Sequence, residues 1–536
     1  MGRKELYTEI PFTAVHGLQT KARIVTEAFI EYATVLDVSC QSGLSDKEIP
    51  VRSKHVSKII SEDLNHDKTV ITTPLIVATV AIAASQFLVG YNVAVLNAVE
   101  KVVFSGHSTA AWSFAVAAFS IGGPFGAMLC GKMADIQGRH RALMINSWTF
   151  LVGGLLQTFA FNLATITLSR FILGFASGFA TVLAPIYLGE LAPPSLRGAL
   201  GTLNQFAAVI GLLAANLLSF PFATADGWRE LVSVTALVAA MQLAVAPYVL
   251  ESPRWILNRD SSDPQAIANI QELRGYQHDH EVLNELAIYI LAGDAHRGGE
   301  LKSQRRVVLE MLAHPKVRRL FLSSLFLHMA QQLCGIGAIF FYSTSFFEGI
   351  IDNPLLGTTI VGVVNVVFTY VALLLMDSHG RKTLILWSSG GMFVASITIV
   401  LSQLGYFNSI TALVAVNAFV AFYEIGLGPI PYLIVAEMFD AKYVAVAMSV
   451  CSQLNWVCSF LVCLLFPSMA ELLGAYSFLP FAAILAACFV FALTVMPETR
   501  GTTPKQLLLR NASIVYEPNK EGVTQRCREW QQGFEK

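Results

Sequence analysis

Charged side chains are scarce in this sequence of 536 residues, in which Asp, Glu, Lys and Arg together make up 14%. Soluble globular domains carry roughly 25% charged residues. Hydrophobic residues make up 54% of the chain, and its mean hydropathy is +0.57. Too few polar residues remain to build a water-exposed surface. The composition therefore excludes a soluble protein and indicates an integral, multi-pass membrane protein.

Signals of catalysis, secretion and nucleic-acid binding are missing as well. The sequence has no phosphate-binding glycine-rich loop, nucleophile elbow or metal-ligand cluster, so we expect neither an enzyme nor a bound cofactor or metal. Its eight cysteines show no disulfide framework. No short apolar core that would indicate a cleavable signal peptide precedes the first long apolar run. The net charge of -1 gives no indication of a nucleic-acid partner.

The hydrophobic residues are concentrated in long runs. A membrane-spanning helix needs roughly 20 apolar residues, because the hydrocarbon core of a bilayer is about 30 Å thick. The sequence therefore predicts an all-α membrane protein with twelve transmembrane helices. These are expected at residues 73–95, 111–131, 142–161, 164–188, 199–221, 229–249, 319–347, 355–376, 384–404, 409–438, 444–468 and 475–496.

Basic residues give the orientation of these helices. They are enriched in the connections on one side, which the positive-inside rule assigns to the cytoplasm. These residues are Lys132, Arg139, Arg141, Arg197, Arg381, Lys382, Arg500 and Lys505, against Lys101 and Arg229 on the opposite side. We expect both termini in the cytoplasm and the plasma membrane as the location; the sequence carries no signal of oligomeric state.

The chain divides into five segments. We expect a cytoplasmic tail (residues 1–72), a first six-helix bundle (73–250), a cytoplasmic linker (251–318), a second six-helix bundle (319–496) and a second cytoplasmic tail (497–536). In the linker, "DPQAIANIQELRG" has a Pro near a helix start and Gly275 near its end, and "EVLNELAIYILAGD" has helical spacing. The linker contains either short amphipathic helices that latch the bundles together or a mere tether.

Short motifs recur between the two bundles. Asp135, Gly138 and Arg139 return as Asp377, Gly380 and Arg381 at an offset of 242 residues, and Glu190 and Glu251 return as Glu437 and Glu498 at an offset of 247. The recurrence indicates a duplicated six-helix unit. Transporters built in this way hold their substrate near the bilayer midplane between the repeats.

The repeated charges have a physical role available to them. A carboxylate and a guanidinium at the cytoplasmic mouth can pair across neighbouring helices, and such pairs bias one gate state if they form in one orientation of the bundles. The alternative is that Arg139 and Arg381 act only as topology determinants.

Several longer segments resemble one known family. The segments "PIYLGELAPPSLRGALGTLNQ", "ESPRW", "QQLCGIGAIFFYSTSFFE", "GPIPYLIVAEMF", "NWVCSFLV" and "PETRG" are similar in order and spacing to the signatures of the major facilitator superfamily sugar porters, and within them the facilitative hexose transporters. The resemblance covers roughly residues 73–510. It implies two pseudo-symmetric six-helix bundles that carry a small neutral sugar across the lipid bilayer by alternating access.

The resemblance also implies roles for individual residues. The implied sugar-binding residues are Gln205, Gln331, Gln332, Asn365, Glu424, Asn455 and Trp456. The implied outer and inner gate residues, together with the repeated charges, are Phe340, Phe341, Tyr342, Tyr432, Asp135, Arg139, Glu190, Arg197, Asp377, Arg381 and Glu437.

Two intramembrane polar residues support these roles independently. Gln331 lies near mid-depth of the seventh span, where an amide facing lipid is costly, so it faces protein or a water-filled cavity. Its amide matches the donors and acceptors of a sugar, although it also suits a role as a polar contact between helices. Glu424 is either functional or a hydrogen-bonding residue that stabilises a tenth helix interrupted by Gly426, Gly428, Pro429 and Pro431.

The chain departs from the usual family pattern at several positions. These are Val93, Gly337, Tyr432, Val444 and Ser459, where the family usually has a small polar residue, Asn, Trp, Arg and Asn, respectively. Two hydrogen bonds to the sugar are therefore missing or shortened. Asn92 stands where similar proton symporters commonly carry Asp, which favours passive transport. The alternatives are a proton-coupled symporter and a non-transporting sugar sensor on the same fold.

Overall fold

The computed structural model describes residues 71–104, 106–193, 196–260, 263–276, 282, 285, 304–348, 350–439 and 441–502. These residues form α-helices joined by turns and short 3₁₀ segments, in agreement with the predicted all-α class. Three predicted segments lie outside the described residues: the N-terminal tail up to residue 70, nearly all of "EVLNELAIYILAGD", and the C-terminal tail from residue 503.

The first half of the structure contains six long helices. They are α1 (Thr73–Ala94), α2 (Thr109–Gln137), α3 (Arg139–Thr158), α4 (Leu163–Leu191), α5 (Arg197–Phe222) and α6 (Trp228–Val245). Three shorter helices follow in the linker: α7 (Pro253–Arg259), α8 (Pro264–Arg274) and α9 (Gln304–Ala313).

The second half contains the remaining helices. They are α10 (Pro315–Leu333), α11 (Ile336–Phe347), α12 (Pro354–Ser378), α13 (Arg381–Gln403), α14 (Ser409–Ile425), α15 (Ile430–Met438), α16 (Ala441–Leu473) and α17 (Leu479–Thr494). In the described residues, ten segments are long and apolar enough to cross a membrane. The other two predicted spans are α3, which starts three residues earlier than expected, and α17, which is apolar but has 16 residues.

Two of the predicted spans are each built from two helices. The seventh breaks between α10 and α11, where Gly335 adopts φ +96°, a conformation that side-chain-bearing residues rarely adopt. A Cβ atom at Gly335 would also lie 2.5 Å from the ring of Phe481. The tenth breaks between α14 and α15, where Gly426 ends the first helix and Pro429 precedes the second. Both breaks leave backbone groups at mid-depth that need partners.

Glycines bring α2 and α4 into backbone contact. A Cβ atom on Gly174 would lie 1.8 Å from the carbonyl oxygen of Phe119, and one on Gly178 would lie 1.9 Å from that of Gly123. Spacing of small residues by four is a known means of close helix packing in membranes. Because α2 lines the interface between the halves and packs against α16, this contact fixes the wall on which the site is built.

Linker helices α7 and α8 pack against one end of the first half. The predicted helix α8 is present, with Asp263 accepting a hydrogen bond from the backbone N–H of Gln265 at 2.9 Å and Gly275 ending the helix at φ +66°. The guanidinium of Arg274 donates to the carbonyl of Leu191 at 2.6 Å, at the end of α4. Helix α9 instead packs against α10 and α16 of the second half.

The close packing of α2 on α4 predicts that Gly178→Ala destabilises the protein. The added methyl group meets a backbone oxygen that cannot move without shifting the helix, so we expect the free energy of unfolding to fall by at least about 2 kcal/mol. The midpoint of thermal unfolding of the purified protein in detergent measures this. Gly189→Ala, on the same helix with open space around the new Cβ, is the matched control and should be neutral or stabilising by up to about 1 kcal/mol. Equal midpoints for the two variants would contradict the prediction.

Candidate functional site

A cavity of about 220 Å³ lies between the two halves. Its walls come from α1 and α2 on one side and from α10, α11, α14, α15 and α16 on the other. The lining residues are Val93, Phe119, Ser120, Gln331, Gln332, Ile336, Gly337, Phe340, Phe341, Tyr423, Tyr432, Asn455, Trp456 and Ser459. The cavity therefore includes both helices of the broken seventh span and contacts both halves.

Three amide side chains form a connected network in the cavity wall. Gln331 donates from Nε2 to the carbonyl of Gly428 at 2.6 Å, and Asn455 donates from Nδ2 to Oε1 of Gln331 at 2.6 Å. Asn455 also donates to the carbonyl of His328 at 3.1 Å. Gln332 donates in turn to Oδ1 of Asn455 at 3.1 Å. The network satisfies buried amides and fixes their orientation before any ligand arrives.

Aromatic rings form the rest of the wall. Phe119 contacts Trp456 and Phe341, with ring centroids 6.1 and 6.5 Å apart. The indole of Trp456 fits because a Cβ atom on Gly123 would lie 2.4 Å from it. A ring-shaped ligand with an apolar face can thus lie against these side chains while its polar edge meets the amides.

Polar contacts close the outer side of the cavity. The side chain of Asn97, at the outer end of the first span, donates to Oγ of Ser343 at 2.8 Å and accepts from the backbone N–H of Thr344 at 3.0 Å. Lys101 pairs with Glu348 at 2.6 Å on the outer surface. These contacts connect the first half to α11 of the second.

The inner side of the cavity is the open side. Tyr432, which lines the inner end, is 38% exposed, whereas Phe341 at the outer end is 7% exposed. Gln453 donates to the carbonyl of Pro124 at 3.2 Å and connects the halves below the aromatic wall. With the outer contacts formed, the structure has the cavity open toward the side assigned to the cytoplasm.

A charged cluster lies at the end of the first half that the sequence assigns to the cytoplasm. The guanidinium of Arg139 donates from Nε and Nη2 to the two carboxylate oxygens of Glu190 at 2.9 and 3.0 Å, and it pairs with Asp135 at 3.1 Å. Glu251 accepts from the backbone N–H of Arg139 at 2.9 Å and from that of His140 at 3.2 Å. Burial raises the pKa of Glu251, although the backbone N–H groups that it accepts from oppose the rise.

The second half repeats this cluster. Arg381 pairs with Glu437 at 2.8 Å, and Glu498 accepts from the backbone N–H groups of Arg381 and Lys382 at 2.9 and 3.1 Å. In each half, therefore, a glutamate from the end of the last span caps the N-terminus of the third, where the orphan N–H groups favour a carboxylate.

The repeated glycine has a physical reason in this geometry. A Cβ atom at Gly138 would lie 2.2 Å from an oxygen of Glu251, and one at Gly380 would lie 2.2 Å from an oxygen of Glu498. The glycine lets each capping carboxylate reach the helix end.

Comparison with known proteins agrees with this architecture. The family model described as "Sugar (and other) transporter" matches residues 77–507. The chain belongs to this sugar transporter family. It is 35% identical over 481 residues to the mouse (Mus musculus) solute carrier family 2, facilitated glucose transporter member 4, covering 84% of this chain and 93% of that protein. It is 36% identical over 466 residues to member 3 of sheep (Ovis aries), covering 82% and 93%.

A solved structure of low identity shares the fold. The inward-open conformation of the xylose transporter XylE from E. coli matches with a TM-score of 0.68 and 23% identity, covering 81% of this chain and 99% of that one. The fold of this sugar transporter family member is thus the major facilitator fold.

The cavity brings together part of the predicted binding set. The predicted residues that line the cavity are Gln331, Gln332, Asn455, Trp456, Phe340, Phe341 and Tyr432. Four predicted residues do not line the cavity: Gln205, Asn365, Glu424 and Tyr342. Gln205 is exposed on α5. The hydroxyl of Tyr342 donates to the carbonyl of Cys463 at 2.8 Å.

Glu424 and Asn365 lie behind the cavity wall. Glu424 is 2% exposed and accepts from the hydroxyl of Thr369 at 3.2 Å. Its carboxylate is also next to Gly428, in the break of the tenth span. Asn365 is 1% exposed, one turn before Thr369 on α12. Their position supports the hydrogen-bonding alternative that the sequence left open for Glu424.

The predicted inner-gate pairs form between neighbouring helices of the same half. Arg139 joins α3 to α4, and Arg381 joins α13 to α15. The side chains of Arg197 and Asp377 lie outside the described part of the structure. Because each ion pair stays within one half, its influence on the gate remains a prediction.

Sequence reasoning missed several residues of the site. Ser120 and Tyr423 line the cavity, and Asn97 holds its outer side closed. The signal for Asn97 was present, because it is an amide at the end of an apolar span. Glu251 and Glu498 were recognised as repeated residues without being assigned to the charged clusters.

The amide network predicts that Gln331→Leu weakens sugar transport. The change leaves the carbonyl of Gly428 and the amide of Asn455 without their partner, so we expect at least a tenfold rise in half-saturation, about 1.4 kcal/mol. Counterflow of labelled hexose in proteoliposomes measures this, and size-exclusion chromatography checks folding. Gln403→Leu, on α13 outside the cavity, is the matched control. An unchanged half-saturation in Gln331→Leu would make this amide a purely structural contact between helices.

The charged cluster around Arg139 and the outer contacts of Asn97 predict opposite effects of two gate substitutions. Arg139→Ala removes the cation that orders the helix ends on the side assigned to the cytoplasm, so these ends should close less well and the resting population should shift inward-open. Asn97→Ala removes the outer contacts and should shift the population outward-open, by about 1 kcal/mol per lost hydrogen bond. Labelling rates of a single cysteine placed in each vestibule report both shifts. Unchanged rates in Arg139→Ala would leave this residue as a topology determinant.

Proposed function

We propose that this chain is a facilitative transporter that moves a hexose such as glucose down its gradient by alternating access across the plasma membrane, with both termini in the cytoplasm. The observation that carries the proposal is the amide and aromatic cavity that lies between the two half-structures. A carrier of this kind needs a central site reached from one side at a time.

The chemistry of the cavity supports a neutral sugar as the substrate. Gln331, Gln332 and Asn455 supply uncharged donors and acceptors that match hydroxyl groups. Trp456 and Phe341 supply apolar surface for the face of a sugar ring. The relatives that match over most of their length are named facilitated glucose transporters.

The surroundings of Asn92 support passive transport. Its amide donates to the carbonyl of Leu88 at 2.8 Å and accepts from the hydroxyl of Thr235 at 3.3 Å. The buried guanidinium of Arg170 donates to the backbone carbonyl of Asn92 at 2.5 Å. A carboxylate beside this cation could exchange a proton during the cycle, whereas an amide cannot.

Alternating access is supported by the distribution of contacts. The outer contacts of Asn97 and Lys101 involve α11, which is separated from α10 by the break at Gly335. Helix α11 can therefore move away from the first half without unwinding α10. The outer side opens when these polar contacts break, together with the hydrogen bond from Ser345 to Glu100 at 2.7 Å. The contact of α2 with α16 is available as the pivot.

The proposal predicts that transport stops at equal sugar concentrations. A neutral sugar carried alone moves no charge, so a membrane potential of 100 mV, which is worth about 2.3 kcal/mol per elementary charge, does no work on it. Labelled glucose in proteoliposomes should reach the same internal and external concentration under any imposed pH gradient or potential, in wild type and in Glu424→Gln alike.

One outcome would overturn passive transport. A pH gradient that drives several-fold accumulation in the wild-type protein, together with loss of accumulation but retained exchange in Glu424→Gln, would identify Glu424 as a proton carrier. Empty liposomes give the background rate of leakage.

A further inference from the structure

The polar side chains of the cavity are distributed unequally between the two halves. The three connected amides all belong to the second half. Among the described residues, the first half contributes Val93, Phe119 and Ser120 to the cavity wall, and of these three Ser120 alone has a hydrogen-bonding side chain. A hydrogen bond from a ligand to a side chain of the first half therefore depends on Ser120.

Ser120 is bonded across the boundary between the halves. Its Oγ lies 3.1 Å from Oγ of Ser459 on α16, and both residues are buried. We call these two residues the serine pair. Each hydroxyl has one hydrogen and two lone pairs, and the bond between them uses one hydrogen and one lone pair. The serine pair therefore keeps one hydrogen to donate, and it keeps lone pairs on which to accept.

The thiol of Cys463 is another polar group beside the serine pair. It lies one turn beyond Ser459 on α16 and contacts both hydroxyl groups. A thioether or thiol sulfur is a weak acceptor, so it competes poorly with an oxygen of a ligand for the free hydrogen. Both serines line the cavity. The free hydrogen is therefore available to a ligand that carries a hydroxyl group.

The serine pair is within reach of a ligand that binds the amides. Ser459 lies one helical turn from Asn455 on α16, a rise of about 6 Å at about 1.5 Å per residue. Both side chains line the same cavity. A sugar ring carries hydroxyl groups on opposite edges. One edge can thus bond to Asn455 while another bonds to the serine pair.

Contacts on both sides of the serine pair hold α2 against α16. Toward the outer side, the hydroxyl of Thr109 donates to the carboxylate of Glu471 at 2.5 Å. Toward the inner side, Gln453 donates to the carbonyl of Pro124 at 3.2 Å. The serine pair therefore lies within the contact that is available as the pivot, away from the outer contacts of α11.

We propose that the serine pair is a substrate-binding contact that holds one hydroxyl group of the sugar against both halves, with Ser120 as the recognising residue of the first half. The proposal rests on the proposed transport function and adds a specificity-determining residue to it. A carrier of this kind holds its substrate between the two repeats. The amides bind the sugar from the second half, and the serine pair gives the first half a share in recognising it.

The test matches one protein hydroxyl with one sugar hydroxyl. The full-length protein in liposomes carries labelled D-glucose in counterflow, and unlabelled D-glucose and its singly deoxygenated derivatives compete with it. In the wild type, we expect one derivative to compete about three- to tenfold less well than glucose because it lacks the bond to the serine pair. In Ser120→Ala, this ratio should fall to about one, because the protein partner is missing as well. The ratios at the other positions should not change.

Two further substitutions of the serine pair strengthen the test. Ser459→Ala removes the hydroxyl that orients Ser120 and should lower the same ratio. Ser120→Cys keeps a side chain of similar size but carries a weakly bonding thiol. It should reproduce the result of Ser120→Ala and replaces that variant if it does not fold, which size-exclusion chromatography shows.

Ser147→Ala and Ser389→Ala are the matched controls. Each removes a buried hydroxyl, in the first and the second half respectively, that bonds to a carbonyl of its own helix at 2.8 and 2.7 Å. Neither residue lines the cavity. Both variants should keep every wild-type ratio.

The two levels of proposal fail in different ways. If the wild type shows no counterflow of glucose above empty liposomes, the transport function itself is wrong. If glucose is carried but every ratio is the same in the wild type and in the Ser120 variants, transport stands and the serine contact is wrong. A change confined to Ser459→Ala would also overturn the proposal, because the contact would then belong to the second half alone.

Discussion

The hydrogen bond from Gln331 to the carbonyl of Gly428 is the contact on which the site depends. It joins the end of α10 to the break between α14 and α15, and it is 2.6 Å long. An interrupted helix leaves backbone carbonyls without their usual partners, and lipid offers none. The amide thus satisfies a group that the break created. The same amide accepts from Asn455 and so sets the orientation of the whole network.

This constraint explains why binding residues and helix breaks occur together. A glycine or proline break is tolerated at mid-depth where it borders a cavity or a polar side chain. Glu424 and Thr369 lie beside the second break, behind the cavity wall. The polar residues of the second half therefore do two things: they keep the breaks stable, and they present a polar surface to the ligand.

The sequence predicted the helices and the break in the tenth span well because both depend on local chemistry. Apolar length, the glycines and prolines of the tenth span and the repeated Arg139 motif are visible in the chain itself. The inward-facing side chains were harder to predict. Gln331 lines the cavity, whereas Asn365 and Glu424, of the same polar type, lie behind it. Which face of a helix points inward is decided by its packing against neighbours that are distant in sequence.

The repeated charged clusters are a second case in which the sequence alone did not predict the packing. The sequence showed that Glu251 and Glu498 recur, but their role needs the turn that brings each to the start of a helix more than 100 residues away in sequence. The sequence predicted that a carboxylate and a guanidinium pair across neighbouring helices, but it did not identify Glu190 as the partner of Arg139. That this pair joins helices of one half, rather than the two halves, follows only from the packing of α3 against α4.

Helix α11 connects ligand binding to the outer closure. It carries Phe340 and Phe341 in the cavity wall and, within the next turn, Ser343 and Thr344, which bond to Asn97 of the first half. Helix α11 has 12 residues and follows the break at Gly335, so under the proposed function we expect it to move as a unit. A ligand that packs against its inner turn therefore changes the position of its outer turn. The candidate ligand-contacting groups and those that hold the outer side closed belong to one helix, so under the proposed function no separate signal between them is needed.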